Sequence, residues 1–110
     1  MKDIFQGIFG FDWDRGNWPK CGKHGVTREE IEQVFRLSPA VYPDPDHSHE
    51  EQRFLAIGPQ AKERWVFIAF TIRRKDERKL IRPISARYMH DKEVQHHERQ
   101  KRKGGADSHP

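Results

Sequence analysis

The run Trp65-Val66-Phe67-Ile68-Ala69-Phe70-Thr71-Ile72 constrains the fold more than any other stretch of the chain. It is far short of the ~20 apolar residues of a membrane-spanning helix, and no other run is longer, so no such span is expected. It is apolar at successive positions, hence on both faces of a pleated strand, which places it inside a sheet. Residues 53–57, closed by Gly58-Pro59, and residues 80–86 read as its neighbours. The charged stretch 73–79 reads as the hairpin turn between the last two strands. Pro83 has no N–H to donate, so its strand should carry an edge or a bulge there.

Helix signals flank the strands. Thr27-Arg28-Glu29-Glu30 is a capping box, followed by Ile31, Val34 and Phe35 on one helical stripe. A helix is therefore expected over 28–37, ending before Pro39. A shorter helix is expected over 15–21, broken by Gly22 and Gly25, and a mostly polar one over 91–102. Residues 39–51 contain three prolines and read as loop. The order of elements predicts an α+β fold: N-terminal helices, an antiparallel sheet of three to four strands and a C-terminal helix. With 110 residues the chain has room for one domain, expected over 1–103, with a disordered tail at 104–110.

Charge is unevenly spread. Residues 1–52 carry six Lys/Arg against ten Asp/Glu, and residues 53–110 carry fifteen against seven. A basic half in a small domain points to a polyanionic partner, most often nucleic acid. Residues 1–5 do not read as a signal peptide, and one cysteine, Cys21, excludes a disulfide framework, so a reducing cytoplasm is expected. Arg53, Thr71, Arg73, Arg82, Ser85 and Arg87 fall at or near strand ends, and Lys23 and His24 lie in a glycine-flanked loop. Guanidinium forks suit phosphate and a charged phosphorane, and His or Lys can move protons. Alternation along a regular strand puts Arg82 and Arg87 on opposite faces unless Pro83 introduces a bulge. The pairs His47/His49 and His96/His97 lack a third ligand, so no metal or other cofactor is expected. Trp13, Trp18 and Trp65 read as core, with Trp18 beside Pro19 also a candidate surface for base stacking.

An ordered set of motifs then resembles the BrnT-type toxin family. It comprises Phe11-Asp12-Trp13-Asp14-Arg15-Gly16-Asn17, Lys23-His24-Gly25-Val26-Thr27, Pro43-Asp44-Pro45-Asp46-His47-Ser48, Glu51-Gln52-Arg53-Phe54, Phe70-Thr71-Ile72-Arg73 and Ile81-Arg82-Pro83-Ile84-Ser85-Ala86-Arg87. The resemblance implies a compact relative of the RelE ribonuclease fold. It implies the toxin of a type II toxin–antitoxin pair, a metal-independent endoribonuclease that inhibits translation. The implied partners are RNA and a BrnA-type antitoxin with a ribbon-helix-helix part, with DNA bound only through the antitoxin complex and no membrane involved. Three departures stand out: a linker between Lys20 and Lys23 shorter by a residue than the family pattern, Pro83 where a β-branched residue is usual, and His97 near the place of a C-terminal Tyr.

In this reading Arg53, Arg73, Arg82 and Arg87 bind phosphate and stabilise the transition state, with Lys23 and His24 as candidate base and acid. Thr71, Ser85, His97 and Arg99 are candidate RNA contacts. The alternatives are a catalytically silent module of the same fold, binding RNA or antitoxin, and a metal-dependent hydrolase using the histidines.

Overall fold

The computed structural model describes residues 3–107. The elements are β1 (Ile8–Phe11), α1 (Arg28–Arg36), β2 (Ala40–Pro43), β3 (Arg53–Pro59), β4 (Trp65–Lys75), β5 (Arg78–Tyr88) and α2 (Asp91–Asp107). Single 3₁₀ turns lie at Lys20–Gly22 and Pro45–His47. The strands form one sheet in the order β1-β5-β4-β3-β2. Strands β2 to β5 are antiparallel, and β1 runs parallel to β5.

The α+β class stands, but the expected architecture does not. The sheet is mixed and five-stranded rather than antiparallel with three to four strands, and one α-helix rather than several precedes its main body. Strand β1 is four residues long with Gly10 inside it, so it has little strand signal of its own, and its pairing depends on β5. Strand β2 lies in the proline-rich stretch read as loop; Pro43 is its last residue on an outer strand, where a missing donor is tolerated. Residues 15–21 do not form an α-helix because local side chains capture the backbone. Asp14 Oδ1 accepts from the Gly16 N–H at 2.7 Å, and Asn17 Oδ1 accepts from the Asp14 N–H at 2.9 Å.

The helix at 28–36 forms for the expected reason. Thr27 Oγ1 accepts from the Glu30 N–H at 3.1 Å, and Glu30 Oε1 accepts from the Thr27 N–H at 3.0 Å. Its stripe buries Ile31 and Val34 against Phe54, Ala56, Val66, Ile68 and Phe70 on one face of the sheet. Phe35 meets Phe70 edge-on at 4.9 Å, and Phe54 stacks on Phe70 at 5.5 Å. No described helix is long and apolar enough to cross a membrane.

Two features of the β4–β5 hairpin position the residues discussed below. Pairing continues to Lys75 and Arg78, so most of the expected 73–79 turn is strand. Only Asp76 and Glu77 turn, both at positive φ (52° and 64°), as a two-residue hairpin loop matching the strand twist requires. The bulge expected at Pro83 is present: Phe70 pairs with Pro83 but Ala69 with Ser85, leaving Ile84 unopposed. The extra residue resets the alternation. Arg82 lies opposite Thr71 and Arg87 opposite Phe67, so the two arginines share one face.

Helix α2 continues through residues 104–107, which read in sequence as tail; the rest of that expected tail, 108–110, lies outside the described residues. Thr27→Ala removes one cap bond of α1 and is expected to lower stability by about 1 kcal/mol. Urea unfolding should show this as a lower midpoint at unchanged slope.

Candidate functional site

The face of the sheet opposite α1 carries Arg53, Leu55 and Ile57 from β3, Phe67, Ala69, Thr71 and Arg73 from β4, and Arg82, Ser85 and Arg87 from β5. Helix α2 covers one end of it. His97 is buried there, edge-on to Trp65 at 5.6 Å and to Tyr42 at 5.9 Å, and its Nδ1 lies 3.4 Å from the Tyr42 hydroxyl. At the other end Arg53, Thr71 and Arg82 form one row across three strands, with Arg73 beyond it.

Most of these arginines already hold carboxylates. Arg73 donates through Nε and Nη2 to Glu51 at 3.0 and 2.9 Å, with its side chain 39% exposed. Arg82 is only 9% exposed and is held more firmly. Its Nη1 donates to Asp12 at 3.2 Å and to Asp14 at 3.1 Å, and its Nη2 donates to Asp14 at 3.1 Å. Lys75 Nζ donates to the other Asp12 oxygen at 2.8 Å. Gly16 leaves room for this arrangement, since a Cβ there would lie 2.8 Å from Arg82 Nη2. Arg87 sits over Phe67 at 4.7 Å and pairs two-pronged with Glu93, both bonds at 2.9 Å. Arg53 alone of the four has no side-chain hydrogen bond or ion pair among the described residues.

The charges act on one another. The hydrogen bond from Arg73 holds the Glu51 carboxyl below its usual range, with Arg82 and Arg53 adding to the effect. The hydrogen bond from Arg82 and the Gly16 N–H do the same for Asp14. Arg82 and Arg73 are held more firmly protonated by their carboxylates. Burial pushes the Cys21 thiol up to about 11 despite Arg82 and Lys20, which keeps it a packed thiol rather than a nucleophile.

The remaining candidates are scattered. Thr71 is buried and its hydroxyl donates to the Gln52 carbonyl at 2.7 Å, so it fastens β4 to the chain entering β3. Ser85 is exposed on the arginine face, and Arg99 is exposed on α2. Lys23 and His24 are exposed on the loop after the first 3₁₀ turn, next to Gly25, whose carbonyl lies 3.4 Å from the Tyr88 hydroxyl. Among the described residues neither side chain makes a hydrogen bond or ion pair to the arginines. Trp18 meets Trp13 edge-on at 5.6 Å and lies under Gly22, where a Cβ would come within 2.6 Å of it; it packs rather than presenting a free stacking surface.

The roles of Asp12, Asp14 and Glu51 as arginine partners were not readable from spacing, although all three fall inside quoted motifs. Each lies tens of residues from the arginine it meets. A further cavity of about 230 Å³ is lined by His47, His49, Glu50, Glu51 and Arg53. It adjoins the row through Arg53.

Residues 13–93 match a family model described as ribonuclease toxin, BrnT, of type II toxin-antitoxin system. The match contains α1, β2 to β5 and all four candidate arginines. No curated protein matches the chain.

Arg82→Ala is expected to destabilise the fold toward the low end of about 3–5 kcal/mol, since Asp12 stays buried with only Lys75 left. Arg73→Ala, at a half-exposed pair, should cost about 1 kcal/mol or less. Urea unfolding of the two variants checks the difference, and only the second then tests function cleanly. The Arg87 hydrogen bond and the His90 N–H lower the Glu93 pKa to about 2 from an ordinary 4.5. A depressed carboxyl pKa stabilises the fold above the unfolded value and ceases to as pH falls through the folded one. The melting temperatures of wild type and Glu93→Gln should therefore differ at neutral pH and converge as pH drops from 4.5 toward 2.

Proposed function

Because the chain belongs to the BrnT family of ribonuclease toxins of type II toxin–antitoxin systems, we propose that it cleaves RNA at the arginine-bearing end of its sheet, away from α2. Membership brings with it an antitoxin partner and a ribonuclease activity at the level of the family. The observation that carries the assignment to this face is the row Arg53–Thr71–Arg82 with Arg73 beside it, brought to one side by register and bulge.

The chemistry proposed is attack by the RNA's own 2′-oxygen. A base takes the 2′-hydroxyl proton, the 2′-oxygen bonds to phosphorus and the bond from phosphorus to the 5′-oxygen breaks. The leaving oxygen takes a proton, giving a 2′,3′-cyclic phosphate and a 5′-hydroxyl. Negative charge builds on the phosphoryl oxygens, and fixed guanidinium donors are suited to meet it. Arg53, with no carboxylate hydrogen-bonded to it among the described residues, is the first phosphate ligand. Arg73 is the second, exchanging Glu51 for the phosphate. Arg82 keeps its carboxylates and fixes the floor of the site, while Arg87 and Ser85 extend the surface along the strand. Lys23 and His24 have no contact to this row, and the reading does not use them. The donors are guanidinium groups, and the carboxylates of Asp12, Asp14 and Glu51 are engaged by Lys or Arg, which supports a route without a metal ion.

One observation favours a second reading. Arg73, Arg82 and Arg87 are all neutralised by carboxylates, as expected of a silent module that only docks a partner. Purified protein incubated with RNA in EDTA separates the two readings. The nuclease reading expects cleavage that survives EDTA, stops at a 2′-deoxy substitution and leaves cyclic phosphate ends. Arg73→Ala should lose about two to three decades in rate, the usual effect of removing one charged stabiliser. RNA binding without cleavage would support the silent module.

The partner we propose is a BrnA-type antitoxin with a ribbon-helix-helix part, which carries the complex to DNA. Expression of the chain alone should arrest growth, and co-expression of that antitoxin should restore it. An acidic antitoxin segment on the arginine face would block the phosphate site directly, with an association rate that falls as salt rises.

A further inference from the structure

We propose that His47 is the proton-transfer group of this site, oriented by Asp44 and set beside Arg53. The inference rests on reading the arginine face as the ribonuclease site. That site has charge stabilisers, but the carboxylates beside them, Asp12, Asp14 and Glu51, are held by Arg or Lys, which leaves them poor bases.

His47 lies in the 3₁₀ turn Pro45–His47, just before β3. Its Nδ1 is 3.1 and 3.0 Å from the two carboxylate oxygens of Asp44. An ionised carboxylate only accepts, so Nδ1 carries the proton and Nε2 is the ring atom left to serve a substrate. The Asp44 side chain is 14% exposed while that of His47 is 65% exposed, so the holder is covered and the imidazole is open. A carboxylate behind Nδ1 fixes the tautomer and ring orientation, the arrangement by which an imidazole is made an efficient acid or base.

The segment is tied to Arg53 itself. The Asp44 N–H donates to the Arg53 carbonyl at 2.9 Å. The Ser48 hydroxyl donates to the Asp44 carbonyl at 2.7 Å and accepts from the Arg53 N–H at 2.8 Å. The residue whose guanidinium makes no hydrogen bond or ion pair among the described residues therefore anchors, through its backbone, the turn that presents the imidazole. His47 and Arg53 line the same cavity, with His49, Glu50 and Glu51. A phosphate on Arg53 would sit at the cavity that the His47 ring also lines. The ionisable groups around the ring are Asp44 and Asp46 on its own turn, His49, Glu50 and Glu51 on the following loop, and Arg53 on β3. His49 shares the cavity, but among the described residues no carboxylate holds its ring, so it lacks the orientation that His47 has.

The test is the cleavage rate of wild type, His47→Ala, Asp44→Asn and Arg73→Ala on one RNA, across pH 5 to 9. His47→Ala should lose about 10²-fold or more in kcat/KM, together with one limb of the pH profile. Affinity for a 2′-deoxy analogue should be unchanged, and free imidazole should restore part of the rate. Asp44→Asn should show a smaller loss with a displaced limb, the sign of a positioning residue. A His47→Ala enzyme with the wild-type rate and both limbs overturns the proposal, and so does a loss that imidazole leaves unmoved while analogue binding falls in step. If that happens while Arg73→Ala is impaired, the arginine site stands and only the proton-transfer role fails. If wild type cleaves no RNA under any condition, both readings fall together.

Discussion

Arg82 carries a permanent charge into a place where the sheet and the β1–α1 connection close over it. An unpaired ion there would cost several kcal/mol, so the position is tenable only with its carboxylates. Asp12 and Asp14 supply them, and their own placement follows. The Asp12 N–H extends the β1–β5 pairing by donating to the Ile81 carbonyl at 2.8 Å. Asn17 Nδ2 then donates to both the Asp12 and Pro83 carbonyls, each at 2.9 Å, stitching the connection to the bulge. Gly16 leaves the guanidinium room, since a Cβ there would lie 2.8 Å from Arg82 Nη2 and push it from its place. The course of residues 12–17 is thus an accommodation of one buried charge.

The same interaction separates two uses of arginine on one face. Arg82 is structural in its burial and its double pairing, whereas Arg73 and Arg53 are reachable from solvent. On the proposed function, Glu51 would compete with phosphate for Arg73. A bound anion would displace it at little cost, because a half-exposed ion pair is weak to begin with. The polar end of the sheet can therefore be charged and still stable without a ligand. The opposite face, packed under α1, needs no such arrangement because its residues from β3 and β4 are almost wholly apolar.

The loop between β2 and β3 follows from the same economy of contacts. It has no hydrophobic anchor of its own; two hydrogen bonds to the Arg53 backbone and one from the Ser48 hydroxyl to the Asp44 carbonyl set its shape instead. These bonds tie the turn that carries His47 to the start of β3. This is how a proline-rich segment, unpromising as a place for chemistry, comes to hold an imidazole against a carboxylate.

By itself the sequence determined what depends on neighbours along the chain. The Thr27–Glu30 cap, the apolar stripe Ile31-Val34-Phe35, the central place of β4 and the irregularity at Pro83 were all legible, because each is a local pattern with a local cause. The ordered motifs also pointed to the family that residues 13–93 match. Tertiary structure decided the rest. Strands β1 and β2 exist because β5 and β3 offer them hydrogen-bonding edges, not because four residues prefer to be extended. Whether Arg82 and Arg87 share a face turned on one unopposed residue, Ile84, which periodicity could frame as a condition but not resolve. The partners of the arginines were set only by folding, since Asp12 and Arg82 are 70 residues apart and Arg73 and Glu51 are 22 apart. Local spacing carries no record of such pairs; they form where the sheet closes, and there a buried charge must find its counter-ion.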